Sequence, residues 1–129
     1  MAEAITVARP YAEAIYKLSL KSKNLSQWSK MLQLAAGIAE EKQIKMLIGN
    51  PKVSAEQISQ LFFDIGKSNF DSEARNFLTL LAENKRIMIL PQISQLYEQM
   101  KAQYEGVLEA KIASAFEIDA KQLKKLIDD

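Results

Sequence analysis

The chain has 129 residues, enough for one domain or for one domain and part of a second. Its 48% of apolar residues can build a core, and its 26% of charged residues can solvate the surface. It contains no Cys and no His, which excludes a disulfide framework, a thiolate or imidazole metal site and the commonest general base. Seventeen basic against sixteen acidic residues leave a net charge of +1, too small for the field expected of a nucleic-acid-binding protein.

Two helices are predicted in the first forty residues. The first runs from about residue 6 to about residue 21, with Pro10 close enough to its start to be tolerated. Asn24 with Gln27, three residues later, resembles a pair that starts a second helix. Apolar residues then recur at helical spacing as far as Ala39, which indicates an amphipathic helix.

The third and fourth helices have clearer boundaries. A short helix over residues 43–48 ends at the Gly-Asn-Pro of residues 49–51, where both Gly and Pro favour a stop. Ser54 with Gln57 forms a capping box at the start of the fourth helix, and Gly66 is expected to close it.

Two further helices complete a bundle. Asp71 or Ser72 can cap a fifth helix that ends near Asn84, and Pro91 fits the first turn of a sixth that reaches about residue 105. Six helices joined by short loops predict an all-α fold, a six-helix bundle.

Beyond residue 105 the apolar period changes from helical to two. The residues at every second position from 108 to 118 predict a strand with one buried face, and Asp119 with Gln122 predicts a short helix after it. Residues 106–129 are therefore expected to open an incomplete α+β domain. The alternatives are a tail that pairs with another copy, or a helix that extends the sixth. The alternating residues are Leu108, Ala110, Ile112, Ser114, Phe116 and Ile118.

No motif for catalysis or cofactor binding is found. The four Gly residues are scattered and form no phosphate-binding loop, and the adjacent acids at 40–41 point about 100° apart on a helix. The basic pairs at 85–86 and 124–125 are not interleaved with aromatic residues as a nucleic-acid surface would be. We expect a protein that is not an enzyme, with no cofactor, no metal and no nucleic-acid partner.

The chain start predicts a location. Glu3 and Arg9 interrupt any apolar run there, so a secretory signal is not expected, and an Arg-rich, acid-poor transit peptide does not fit. No apolar run is long enough to span a bilayer. We expect a cytosolic chain with no direct membrane insertion, one that can still dock on a membrane complex.

Three helices have apolar stripes wider than one packing face needs. On a wheel of 100° per residue, the first, second and fifth helices each span about 200°, against about 120° for the fourth and sixth. Arg9, Glu13 and Lys17 form a narrow wet face on the first helix. A helix of that width either lies in the middle of the bundle or shares its second stripe with a partner.

Three segments resemble one family. They are A-R-P-Y-A-x-A at residues 8–14, Trp-x-x-Met-Leu at 28–32 and A-E-N-x-R-x-x-x-L-P at 82–91. The sequence is similar to the δ subunits of bacterial F-type ATP synthases, whose mitochondrial counterpart is the oligomycin-sensitivity-conferring protein. Members of that family continue through a full C-terminal domain. The resemblance therefore implies an N-terminal domain over residues 1–105 and the truncated beginning of a C-terminal domain over residues 106–129, a fragment.

The resemblance also implies a function. Family members are non-catalytic stator subunits of the peripheral stalk, which lies at the cytoplasmic face of the bacterial inner membrane. Their N-terminal domain binds the amphipathic N-terminal helix of an α subunit between the first and fifth helices, and their C-terminal domain grips the b subunits, a contact not expected of this chain. The corresponding partner-binding residues are Tyr11, Ala14, Ile15, Leu18, Phe77, Leu80, Leu81 and Asn84.

Two hypotheses compete with that function. A small all-α RNA-binding factor of the antitermination type would need a clustered basic face, which the mixed charges on each helix do not favour. A generic self-associating helical adaptor would use the wide apolar stripes for a second copy of itself.

Overall fold

The computed structural model describes the backbone of residues 2–128 and the side-chain surroundings of residues 3–115. Over this range the elements are all helical, which confirms the predicted all-α class and its six helices. The chain divides into two compact units, Met1–Glu98 and Gln99–Asp129. The helices are α1 (Ala2–Ser22), α2 (Leu25–Glu40), α3 (Lys42–Ile48), α4 (Ala55–Gly66), α5 (Ser72–Glu83) and α6 (Leu90–Asp128), with 3₁₀ turns at Lys67–Asn69 and Ile87–Ile89.

The start of α1 differs from the prediction. It begins at Ala2, four residues earlier than expected, so Pro10 lies further inside the helix than predicted. Proline cannot donate a backbone hydrogen bond, which makes its place in a helix interior costly. Pro10 stands on the exposed side of α1, where its ring is in contact with water.

Two of the three predicted helix starts are built as the sequence indicates. The Ser54 hydroxyl accepts from the Gln57 backbone N–H at 3.1 Å, and the Gln57 side chain accepts from the Ser54 N–H at 2.9 Å. Asp71 accepts from the Ala74 N–H at 2.8 Å at the start of α5. Each bond satisfies a donor that the first turn of a helix leaves without a partner.

The third predicted start is right in position and wrong in mechanism. The helix α2 follows Asn24 as expected, but the Asn24 side chain makes no capping hydrogen bond. The Gln27 amide instead donates to the Asp71 carboxylate at 3.0 Å. The Gln27 side chain thus bonds to a residue 44 positions away in the sequence and does not pair with Asn24.

Helix α4 ends at the residue that the sequence predicts, but glycine stands there for a different reason. Gly66 is the last residue of the helix, but its φ is −80°, and the positive φ, 50°, belongs to Lys67. A Cβ atom on Gly66 would overlap the ring of Phe70, which is buried. Glycine is therefore required there for close packing and not for a left-handed turn.

The core of the first unit is centred on α2. Tyr97, at the start of α6, is fully buried, and its hydroxyl donates to the Leu25 carbonyl at 2.7 Å. The same hydroxyl lies 3.2 Å from the Ser19 hydroxyl, so it joins α1, α2 and α6. The buried residues of α2 are Trp28, Ser29, Met31, Leu32, Ala35, Ala36, Ile38 and Ala39.

The strand predicted after residue 105 is wrong. Residues 106–115 are helical and belong to α6, which continues to Asp128, so the predicted short helix is not a separate element. The alternative of a helix extending the sixth agrees with the structure. The segment is rich in Ala, Leu, Glu and Lys, which favour helix, and this preference outweighs the two-residue alternation. The side chains of residues 116–129 lie outside the described residues.

Candidate partner-binding surface

The eight residues expected to bind a partner lie on α1 and α5, and we call them the α1/α5 surface. Their burial divides them into a floor and an accessible layer. The buried residues, which form the floor, are Ile15, Phe77 and Leu81. The half-buried residues are Tyr11 and Leu18, and the exposed ones are Ala14, Leu80 and Asn84.

Aromatic contacts hold the floor of this surface. The rings of Tyr11 and Phe77 lie 6.4 Å apart at 63°, and the rings of Phe77 and Trp28 lie 6.0 Å apart at 87°. Both are edge-to-face arrangements, which aromatic pairs prefer. Phe77 of α5 therefore lies between a side chain of α1 and the buried Trp28 of α2, and the position of Tyr11 is fixed by the core. The sequence marked Trp28 only as part of a motif and gave no indication of this contact.

One polar contact joins the two helices at the surface. The Asn84 side-chain amide donates to the Tyr11 hydroxyl at 3.3 Å. Because that hydroxyl accepts from Asn84, its own hydrogen remains able to donate to a bound molecule. Tyr11, Phe77 and Asn84 are thus brought together.

Leu80 and Ala14 differ in what they offer a partner. Leu80 is 46% exposed, so a large apolar side chain stands partly in water. Ala14 is exposed and small, which allows another helix to approach closely. Exposure alone does not single out this surface, since Met46, Ile65 and Met88 are also exposed.

The wide stripes of α1 and α2 have different explanations. Helix α2 lies in the buried middle of the first unit, so its wide apolar stripe packs inside the bundle. In α1, Ala8, Ala12 and Ile15 are buried, whereas the stripe through Tyr11 and Leu18 is only half-covered. The predicted wet face of α1 is confirmed: Arg9, Glu13 and Lys17 are exposed.

Comparison with known proteins identifies the family. The family model of the ATP synthase delta (OSCP) subunit matches residues 7–129. The chain belongs to the ATP synthase delta (OSCP) subunit family. The resemblance of its three motifs to that family is confirmed over nearly its whole length.

Relatives that carry the name ATP synthase subunit delta match over the same range. The protein of Nitrosospira multiformis is 48% identical over 129 residues, which is all of this chain and 72% of the relative. The protein of Nitrosomonas eutropha is 49% identical over 127 residues, 98% of this chain and 71% of the relative.

Another feature of this delta-family chain is a depression beside α5. It is a cleft of about 650 Å³ between α4 and α5, with Ser59, Phe63, Thr79 and Glu83 among its lining residues. Arg75 lies over the Phe63 ring, 5.4 Å from its centre. No pattern in the sequence predicted this cleft, because it depends on how α4 packs on α5.

Among the described helices of the chain, none is both long enough and apolar enough to cross a membrane. Within the same described part of the delta-family chain, no group of three or more His, Cys, Asp or Glu residues is arranged to hold a metal ion.

Proposed function

We propose that this delta-family chain is a non-catalytic stator subunit of an F-type ATP synthase. It acts by binding the amphipathic N-terminal helix of an α subunit on the α1/α5 surface. The observation that carries the proposal is the 46% exposure of Leu80, one helical turn before Asn84, whose amide contacts the half-buried Tyr11. An apolar helix face laid over this surface would remove both side chains from water.

A helix held by several apolar anchors suits a mechanical tether. Rotation of the central shaft exerts torque on the ring of α and β subunits, and the stator must keep that ring still. Burying a Leu or Ile side chain contributes roughly 1.5–3 kcal/mol, and nanomolar binding needs about 12 kcal/mol net. After the cost of association, about half a dozen good anchors are needed. The α1/α5 surface contributes its accessible large apolar side chains, Tyr11, Leu18 and Leu80, and the bound helix contributes the others.

Titration calorimetry tests the surface with a synthetic peptide of the α-subunit N-terminal segment from the same organism. Leu80→Asp places a charge where an apolar side chain is buried in the complex, so the dissociation constant should rise at least about a hundredfold. Ala14→Arg should have a similar effect by blocking close approach. Both residues are exposed, so the variants should keep the helical circular dichroism of the wild type.

Ile65→Asp is the matched control. Ile65 lies on α4 with 50% exposure, close to that of Leu80, and it is outside the α1/α5 surface. The same substitution there should leave peptide affinity unchanged. Unchanged affinity in both Leu80→Asp and Ala14→Arg would reject the surface.

The rest of the proposal concerns organisation and location. Residues 1–105 form the α-binding domain, and residues 106–129 begin the C-terminal domain that contacts the b subunits in longer family members. The protein acts as a peripheral component at the cytoplasmic face of the bacterial inner membrane. In a pull-down, this chain should retain the α-subunit N-terminal segment.

A further inference from the structure

One end of the α1/α5 surface is polar and carries hydrogen-bond donors. Asn84 and Tyr11 meet there, with the Tyr11 hydrogen able to donate outward. Lys85 and Arg86 follow Asn84 directly, and both are exposed. Glu83, the acid nearest to them in the sequence, precedes Asn84 directly and lines the cleft between α4 and α5.

The turn that follows α5 holds Lys85 in an unusual conformation. The Arg86 N–H donates to the Leu81 carbonyl at 2.7 Å and the Lys85 N–H to the Ala82 carbonyl at 3.1 Å, which is a Schellman motif. Lys85 occupies its left-handed position at φ 57°, where glycine is the residue without steric cost. A cation therefore stands next to Asn84 at a position that favours glycine.

The end of α1 repeats this arrangement without the polar pair. Lys23 has φ 57° in a turn where the Asn24 N–H donates to the Ser19 carbonyl at 3.0 Å. A lysine at either site offsets the partial negative charge of its own helix end. Lys85 differs from Lys23 in adjoining the α1/α5 surface at Asn84, so the two lysines form a matched pair for experiment.

We propose that the bound helix lies with its C-terminal end at Tyr11, Asn84 and Lys85. The last turn of any helix has up to four carbonyl groups without partners and a partial negative charge. The Tyr11 hydroxyl and the Asn84 amide can donate to those carbonyls, and the Lys85 ammonium balances the charge. This inference rests on the proposed function, because it fixes the direction of the helix bound on the same surface.

The lysine pair provides the first test, with the α-subunit peptide as the probe. Lys85→Gly should weaken binding about twofold to fivefold at low salt, because a charge near a helix terminus is lost. The difference should shrink at high salt. Lys23→Gly removes the same charge from the same kind of turn at the opposite end of the surface, near the N-terminal end of the bound helix, and should not weaken binding. If Lys23→Gly weakens binding and Lys85→Gly does not, the direction is reversed and the inference is wrong.

Tyr11→Phe provides the second test. It keeps the ring that packs on Phe77 and removes the donor, so affinity should fall about threefold to tenfold. Unchanged affinity would show that no hydrogen bond to the guest forms at this residue and would overturn that part of the inference.

The direction can also be observed directly. A nitroxide at the C-terminus of the peptide should broaden the backbone amide signals of residues 84–86, and one at its N-terminus should broaden those of residues 18–22. The opposite pattern overturns the inference while leaving the proposed function intact. Absence of peptide binding, or binding that Leu80→Asp does not weaken, would instead reject the proposed function.

Discussion

At the scale of single residues, Gly37 and Gly66, two of the glycines inside helices, have opposite roles. A Cβ atom on Gly66 would overlap the buried Phe70 ring, whereas one on Gly37 in α2 would meet no atom within 4 Å. Glycine inside a helix costs about 1 kcal/mol relative to alanine, so it is retained at Gly66 for space. Gly37 has no such packing reason.

The two glycines therefore predict opposite effects of one substitution. Gly66→Ala should lower the free energy of unfolding by about 1–3 kcal/mol, because the Phe70 ring must move. Gly37→Ala should raise it by about 0.5–1 kcal/mol through helix propensity. Urea unfolding followed by circular dichroism measures both, and equal signs for the two variants would contradict the packing argument.

At the scale of elements, a helix start is predictable when its partners are local. Ser54 and Gln57 lie three residues apart and bond to each other, so the sequence contains the whole interaction. Gln27 also lies three residues after a capping candidate, but it bonds Asp71 across the fold. The strand predicted beyond residue 105 is wrong for another reason. A two-residue alternation of apolar residues does not exclude a helix built from strong helix formers.

The two predicted caps should respond differently to truncation. Ser54→Ala removes a formed capping bond and should lower the free energy of unfolding by about 0.5–2 kcal/mol. Asn24→Ala removes a side chain that makes no capping bond and whose oxygen is buried without a partner. Its effect should stay within about 0.5 kcal/mol. A loss in Asn24→Ala as large as in Ser54→Ala would show that the sequence motif stabilises α2 without that bond.

At the scale of the whole molecule, the family motifs name the residues of the α1/α5 surface but not their exposure. Ile15 and Leu80 are both large and aliphatic, yet Ile15 is 5% exposed and Leu80 46%. The stripes of α1 and α2 are equally wide on a helical wheel, and only packing places α2 in the middle. Exposure depends on which helices meet, which is a property of the assembled bundle.

The first unit separates the residues that hold it together from those offered to a partner. Tyr97 is fully buried and bonds the Leu25 carbonyl, so Tyr97→Phe should lower the free energy of unfolding by about 0.5–1.5 kcal/mol. Affinity for the α-subunit peptide should be unchanged, because the hydroxyl joins helices beneath the surface. Leu80→Asp should show the converse: weaker binding with a free energy of unfolding within about 0.5 kcal/mol of the wild type. Urea unfolding monitored by Trp28 emission, with calorimetry on the same samples, measures both quantities. If Tyr97→Phe weakened binding as strongly as Leu80→Asp, affinity would depend on the stability of the bundle rather than on the α1/α5 surface.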